Sequence, residues 1–212
     1  NLLLAIGIGL MLGISVAFLL EFLDNTVKSM DEISDRFGIP ILGVIPEAEE
    51  QFRDRLDHLV TTEPRAGFSE AIRTARVSIQ LSTAAEGGTK NLLVTSTTEG
   101  EGKSTIAVNM GQAFAAAGDK VLIIDADLRR PWLHKVFPSS GPRTGGLSEL
   151  LIGTTTLEEV VRKTGQENLY FMPAGLLPPN PAELLASKRM RQHLDELGTT
   201  FDRIIIDGPP SV

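Results

Sequence analysis

The residues that most clearly indicate a chemical function lie in the sequence EGEGKST, which contains Gly102, Lys103 and Ser104. Glycines let a backbone turn tightly and aim successive N–H groups at one anion, and a lysine adds positive charge. A serine hydroxyl at this position is a ligand for Mg²⁺. We therefore predict a loop that binds the phosphates of a nucleoside triphosphate, formed by Thr98, Glu99, Gly100, Glu101, Gly102, Lys103, Ser104 and Thr105.

The loop departs from the general pattern for phosphate loops at one position. That pattern has a glycine five residues before Gly102, where this chain has Thr97. The flanking sequence still fits, because an apolar strand precedes the loop and a helical run, STIAVNMGQAFAAAG, follows it and ends at Gly118. A turn whose lysine only packs nearby would not need Gly-Lys-Ser-Thr at a strand-to-helix joint.

Two further apolar runs end in aspartates. The run KVLIIDADLRRP carries Asp125 and Asp127, and the run FDRIIIDGPP carries Asp207. Carboxylates beside a phosphate loop would repel a nucleotide unless a cation lay between them, and Mg²⁺ binds through few protein ligands. The alternative is that each aspartate is an ordinary strand-end residue that caps the next turn.

Short apolar runs separated by helices place these motifs in a parallel sheet covered on both faces. In such sheets ligands bind at the carboxyl ends of the strands, where Thr95, Asp125 and Asp207 all lie. The predicted fold class is an α/β, P-loop NTPase-type parallel sheet with helices on both faces. We place this domain at residues 68–212.

The chain begins with a run from Leu2 to Leu20 that contains no charged residue. Such a run is long enough to cross a bilayer, and it lacks the basic start of a cleavable signal peptide. We predict one transmembrane helix over residues 1–23, the last span of a longer membrane protein. Residues 24–67 are predicted to be a juxtamembrane segment and linker.

Within that segment the sequence predicts a short helix at Asn25 to Phe37 and a short strand at Ile41 to Ile45. The charged stretch from Glu47 to Gly67 is expected to be a linker or a surface helix, with His58 solvated. A helix is then predicted from Phe68 to Leu81 by its apolar spacing.

Composition excludes some classes of function. The chain has no cysteine, so it has neither disulfides nor thiolate metal sites. Its net charge of -7 argues against a domain built to bind nucleic acid. An ATP site favours a cytoplasmic location for the residues after about 24.

A charged stripe lies on the helix predicted at Phe68 to Leu81. Glu70, Arg73 and Arg76 recur every three residues along it. Taken by itself, this spacing is typical of a surface ladder of ion pairs, each worth a few tenths of a kcal/mol.

The motifs together resemble those of the bacterial tyrosine autokinases that are fused to polysaccharide co-polymerases. The resemblance rests on the N-terminal apolar run, E-x-x-R-x-x-R from Glu70 to Arg76, EGEGKST, IIDADLRRP, MPAGLLPPNPAELLAS and IIIDGPP. It implies an ATP- and Mg²⁺-dependent protein-tyrosine kinase at the bacterial inner membrane. The implied role is to regulate the polymerisation or export of an extracellular or capsular polysaccharide.

The resemblance also implies roles for individual residues. Lys103 and Ser104 would hold phosphates and metal, and Asp125 and Asp207 would organise Mg²⁺ together with Ser104. The catalytic set is Lys103, Asp125, Asp127 and Asp207, with the choice of Asp125 or Asp127 as the base left open. Arg129 is a candidate for contacting the substrate or the transition state.

The partners implied by the resemblance are copies of the chain itself. Glu70, Arg73 and Arg76 would form the subunit interface of a ring in which each kinase domain phosphorylates tyrosines of a neighbour. The family carries these tyrosines in a C-terminal tail, whereas this chain has a single tyrosine, Tyr170, expected in the core. We therefore expect the C-terminal part of the domain to be missing here. Other implied partners are the polysaccharide machinery and membrane lipid, and no nucleic acid is expected.

Two alternatives remain at this stage. One is a non-catalytic, nucleotide-binding chain-length regulator that serves as a scaffold. The other is a membrane-associated ATPase similar to MinD or ParA, although that class has a signature lysine where this chain has Thr98.

Overall fold

The computed structural model describes residues 2–23, 38–84, 91–138 and 145–211. Contacts divide the chain into two compact units, Asn1–Ile41 and Leu42–Val212. The helix predicted at Asn25 to Phe37 lies outside the described residues.

The first unit contains helix α1, Leu2–Leu23, so the run that was predicted to be helical is helical. Its large apolar side chains are exposed, among them Met11 and Phe18. No helix in the described part of the chain is both long and apolar enough to cross a membrane. The membrane span therefore stays a prediction.

The second unit is built on a five-stranded sheet in the order β1-β5-β2-β4-β3. The strands are β1 (Asn91–Val94), β2 (Val121–Asp125), β3 (Arg162–Lys163), β4 (Leu169–Met172) and β5 (Arg203–Asp207). All neighbouring pairs are parallel except β3 with β4. The predicted parallel sheet is thus confirmed for the strands that carry the motifs.

Helices cover both faces of the sheet. They are α2 (Leu59–Thr62), α3 (Gly67–Ala84), α4 (Lys103–Ala116), α5 (Leu133–Val136), α6 (Leu147–Ile152), α7 (Leu157–Val160), α8 (Pro181–Leu185) and α9 (Lys188–Thr200), with a 3₁₀ helix at Glu50–His58. Because side chains alternate along a strand, Ile123 of β2 joins the apolar cluster of α3 and α4. Leu122 and Ile124 join the opposite cluster with α6 and α9.

The strand predicted at Ile41 to Ile45 does not form. This segment has no regular secondary structure, and within the second unit Gly43 lies against α3, where a Cβ on this glycine would be 3.4 Å from that of Ala75. Pro40 and Pro46 bracket the segment and have no N–H to donate to a sheet. The apolar side chain of Ile45 packs on the core without joining the sheet.

The stretch from Glu47 to Gly67 is helical over much of its length. The 3₁₀ helix runs into α2, where Leu59 and Val60 are buried. His58, predicted to be solvated, is half-buried, with its Nδ1 2.6 Å from Nε2 of Gln112. The sequence signal for this packing is the helical spacing of the apolar residues Phe52, Leu56, Leu59 and Val60.

Candidate active site

The predicted phosphate loop joins β1 to α4 at the carboxyl edge of the sheet. Gly100 and Gly102 have φ angles of 83° and 86°, which other residues adopt only with strain. The first hydrogen bond within α4 runs from the N–H of Ile106 to the carbonyl of Gly102. The N–H groups of residues 103–105 therefore have no acceptor inside the helix and are suited to an anion.

Glu101 braces the loop from within. Its carboxylate accepts hydrogen bonds of 2.9 Å from the N–H of Thr97 and from Oγ1 of Thr98. The bond from the Thr98 side chain, helped by backbone bonds from Thr98 and Thr97, lowers the pKa of Glu101. Thr97, which replaces the usual glycine, thus takes part in closing the loop.

Lys103 lies where three motifs meet. Its Nζ is 3.1 Å from Oδ2 of Asp127, 3.5 Å from Oδ1 of Asp207 and 3.3 Å from Oγ of Ser104. The strand register places Asp207 beside Asp125 on the neighbouring strand. The structure therefore brings together residues that are more than 100 positions apart in sequence, as the strand ends predicted.

Asp125 and Asp207 are almost fully buried. Burial and the neighbouring charge of Asp207 raise the pKa of Asp125 to about 7, against the hydrogen bonds that its Oδ2 accepts from the N–H groups of Trp132 and Leu133. Burial also raises the pKa of Asp207, opposed by a hydrogen bond from Ser104 and the charge of Lys103. Without a cation, these carboxylates resist ionisation.

The same carboxylates fit Mg²⁺. Oδ1 of Asp125 and Oδ2 of Asp207 are buried and have no hydrogen-bond partner among the described residues. Within those residues, no group of three or more His, Cys, Asp or Glu side chains is arranged to hold a metal ion. The two buried carboxylate oxygens suit Mg²⁺, which takes one or two carboxylates and completes its shell with phosphate oxygens and water.

A cleft of about 250 Å³ opens beside the loop. It is lined by Glu99, Gly100, Lys103, Asp127, Arg129, Arg130, Pro209 and Pro210. Asp127 reaches this cleft, and its Oδ1 accepts hydrogen bonds from the N–H groups of Arg129 and Arg130. The guanidinium of Arg130 contacts the carboxylate of Glu99 across the cleft.

The sequence motifs indicate no role for the two prolines of this cleft, Pro209 and Pro210. The carbonyl of Pro209 accepts a 2.8 Å hydrogen bond from Oγ1 of Thr95, and the N–H of Ser211 donates to the carbonyl of Ser96. The chain after β5 is thereby fixed to the start of the phosphate loop. The Gly-Pro-Pro turn that follows the third motif was the signal in the sequence.

The side chains of Thr105 and of the three predicted interface residues, Glu70, Arg73 and Arg76, lie outside the cleft. Oγ1 of Thr105 donates to Oδ1 of Asp57, 3.2 Å away. On α3, Arg73 pairs with Glu70 at 2.8 Å and also donates to the carbonyl of Pro64, which precedes the helix, while Arg76 donates to Gln80. None of the four is among the residues that line the cleft.

The chain matches a known protein family in sequence. The family model for an AAA domain matches residues 89–212, which is more than half of the chain. The chain belongs to this family. Within it, the chain is similar to tyrosine-protein kinase YwqD of Bacillus subtilis, with 40% identity over 152 residues that cover 72% of the chain and 63% of the relative. Putative tyrosine-protein kinase EpsB of Ralstonia solanacearum is 31% identical, over 96% of the chain and 28% of the relative.

Solved structures agree with the sequence relatives. The BceF tyrosine kinase domain superposes with a TM-score of 0.77 and 35% identity, covering 87% of this chain and 77% of that one. The kinase domain of Escherichia coli ETK gives 0.78 and 30%, covering 88% and 76%. MinD from Pyrococcus horikoshii gives 0.51 and 27%, covering 58% and 50%. The resemblance to bacterial tyrosine-kinase catalytic domains is confirmed, although the chain spans less than two thirds of the YwqD and EpsB sequences.

Proposed function

We propose that this chain contains the catalytic core of an ATP-dependent protein-tyrosine autokinase that regulates the polymerisation or export of an extracellular or capsular polysaccharide. The observation that carries the proposal is the position of Lys103, which bridges Asp127 and Asp207 beside the phosphate loop. The larger overlap with the ETK and BceF kinase domains than with MinD favours a kinase over a switch ATPase.

Phosphoryl transfer depends mainly on positioning and on neutralising charge. The free N–H groups at the start of α4 would bind phosphate oxygens, and Lys103 would balance their charge. Ser104, Asp125 and Asp207 would hold Mg²⁺, which when bound neutralises charge on the phosphates. With Asp207 turned to Mg²⁺, Lys103 would lose one of the two carboxylate contacts that hold it and could turn toward the nucleotide.

The acceptor tyrosine must lose its proton as the new bond forms. A phenol has a reference pKa near 10, so a carboxylate within reach assists that loss. Asp127 lines the cleft, whereas Asp125 is fully buried behind it. We therefore assign the base to Asp127 and a metal-holding role to Asp125. Arg129 lines the same cleft and would supply positive charge to the transition state.

The test is phosphorylation of a tyrosine-containing copolymer by the full chain, with Mg²⁺ and γ-labelled ATP. We expect phosphotyrosine with the wild type and none with Lys103→Met. A Tyr170→Phe variant, which removes the single tyrosine, reports whether any label lies on the chain itself. Release of free phosphate without phosphotyrosine would support the switch ATPase, and absence of both products would support the scaffold.

We further propose that α3 contributes to self-association through Glu70, Arg73 and Arg76. The Glu70 side chain is 64% exposed and the Arg73 side chain 33% exposed, so both remain accessible to a second copy despite their pairing. None of the three side chains lines the cleft, so a second copy that contacts them need not displace a residue of the cleft lining.

We also propose a location at the bacterial inner membrane, with residues after about 24 in the cytoplasm and with membrane lipid and the polysaccharide machinery as partners. The uncharged run in α1 and its exposed apolar side chains support this location. Extraction of cell membranes at alkaline pH tests it. The full chain should stay in the pellet and a variant without residues 2–23 should be released, and release of both would contradict the proposal.

A further inference from the structure

One face of α4 carries polar residues where an apolar surface would be expected. Thr105, Asn109 and Gln112 follow one another at helical spacing, and Asn109 and Gln112 are 0% and 1% exposed. All three bond to one stretch of chain, the 3₁₀ helix with α2 (residues 50–62), which we call the bracing segment. The bracing segment therefore contacts α4, the helix that follows the phosphate loop, over two helical turns.

Asn109 and Gln112 account for most of this attachment. Nδ2 of Asn109 donates to the carbonyl of Leu56 at 2.7 Å, and its Oδ1 accepts from the N–H of Val60 at 3.0 Å. Nε2 of Gln112 donates to the carbonyl of Asp57 at 3.1 Å. These bonds reach the backbone of the bracing segment and would hold it in place whatever the side chain at position 57.

The contact between Asp57 and Thr105 lies at the end of α4 that follows the phosphate loop. Like the contact of Gln112 with His58, it is formed by two side chains, with Oγ1 of Thr105 donating to Oδ1 of Asp57 at 3.2 Å. Thr105 lies in the first turn of α4, among the residues whose N–H groups have no acceptor inside the helix. Because threonine is branched at Cβ and has few χ1 rotamers, fixing its hydroxyl also fixes the backbone that carries its N–H.

A carboxylate is a costly choice for a purely structural contact at this position. Burial raises the pKa of Asp57, and the hydrogen bond from Thr105 counteracts this effect. A negative charge close to a phosphate site also repels the ligand to some degree. A neutral acceptor would also attach the bracing segment, as backbone carbonyls do at Asn109 and Gln112, but a carboxylate holds the hydroxyl of Thr105 more strongly.

We propose that Asp57 is a positioning residue for the nucleotide site, which acts by holding Thr105 so that the first turn of α4 directs its N–H groups at the phosphates. The inference rests on the proposed nucleotide site and assigns a role in it to the bracing segment. Asp57 itself does not touch the nucleotide. Its effect is on affinity for the triphosphate, through the orientation of a neighbour.

The experiment measures the Kd of the full chain for a non-hydrolysable ATP analogue with Mg²⁺, by titration calorimetry, together with Tm. We expect Asp57→Ala to weaken binding by about 5- to 10-fold, the size of one lost hydrogen bond. Asp57→Asn keeps an acceptor that forms a weaker, uncharged hydrogen bond, so its Kd should lie between those of the wild type and Asp57→Ala. The double variant Asp57→Ala/Thr105→Val should bind no more weakly than the weaker of its two single variants.

The matched control is Ser69→Ala. Ser69 is fully buried and donates to the carbonyl of Leu59, so it attaches the same bracing segment to α3 and not to α4. This variant should lower Tm about as much as Asp57→Ala but leave the Kd unchanged. An equal loss of affinity in both variants, or an unchanged Kd in Asp57→Ala, would overturn the role of Asp57. Failure of the wild type to bind the analogue would overturn the nucleotide site as well.

Discussion

At the scale of single residues, the buried carboxylate of Asp125 makes stability depend on pH. Its pKa is about 7 in the folded state and 3.8 in a solvated reference, so between these values the folded protein retains a proton that the unfolded chain has lost. Stability must then fall as pH rises through this window, and the group has no effect below it. We expect a loss of roughly 1–3 kcal/mol in the free energy of unfolding without Mg²⁺.

The comparison that isolates this effect uses Asp125→Asn. Urea denaturation in EDTA at pH 4.5 and pH 7.5 should show a smaller loss of stability in the variant, because its amide does not titrate. Equal losses in the two proteins would show that Asp125 is ionised in the folded state throughout this range.

Substitution of Asp127 should slow tyrosine phosphorylation much more than it weakens nucleotide binding. Asp127 reaches the cleft, and Asp127→Asn retains the shape of the side chain but cannot accept a proton. We expect kcat for tyrosine phosphorylation to fall by about 10²- to 10⁴-fold, the usual contribution of a general base. The Kd for the ATP analogue should change by only about 3-fold, since the amide oxygen can still accept a hydrogen bond from Lys103 and Asp207 still contacts that lysine. A kcat within tenfold of the wild type would exclude Asp127 as the base.

At the scale of secondary structure elements, the packing of α4 on the sheet determines where the phosphate loop lies. Gly111 faces β2 so closely that an added Cβ would be 2.5 Å from Cδ1 of Ile123. Gly111→Ala should therefore lower the free energy of unfolding by about 1–3 kcal/mol and weaken nucleotide binding, although alanine favours helix. The combined Gly111→Ala/Ile123→Val variant, which removes the clashing methyl group, should recover part of both losses in denaturation and binding titrations. A Gly111→Ala variant as stable as the wild type would contradict this account of the packing.

The sequence predicted secondary structure correctly where its hydrophobic pattern and the tertiary contacts favour the same element. Asp125 and Asp207 could be placed side by side because both end buried runs, and parallel strands end at one edge. The segment at Ile41 to Ile45 had strand-like composition, but its flanking prolines and its contact with Ala75 decided its structure. The bond between Asp57 and Thr105 could not be foreseen, since nothing local indicates which helix a half-buried carboxylate will meet.

At the scale of the whole molecule, the proposed interface on α3 can be tested by measuring how charge variants of this helix affect self-association. If Glu70 of one copy pairs with Arg76 of another, then Glu70→Lys and Arg76→Glu should each reduce self-association in sedimentation velocity. An equimolar mixture of the two variants should restore it, because each contact between unlike copies again joins opposite charges, Lys with Glu in one and Glu with Arg in the other. The pair of Glu70 with Arg73 inside α3 is exposed and worth only a few tenths of a kcal/mol, so Tm should barely change. Arg191→Glu, on the exposed side of α9, is the control for altered net charge. Variants that associate like the wild type, or a mixture that does not recover, would remove α3 from the interface.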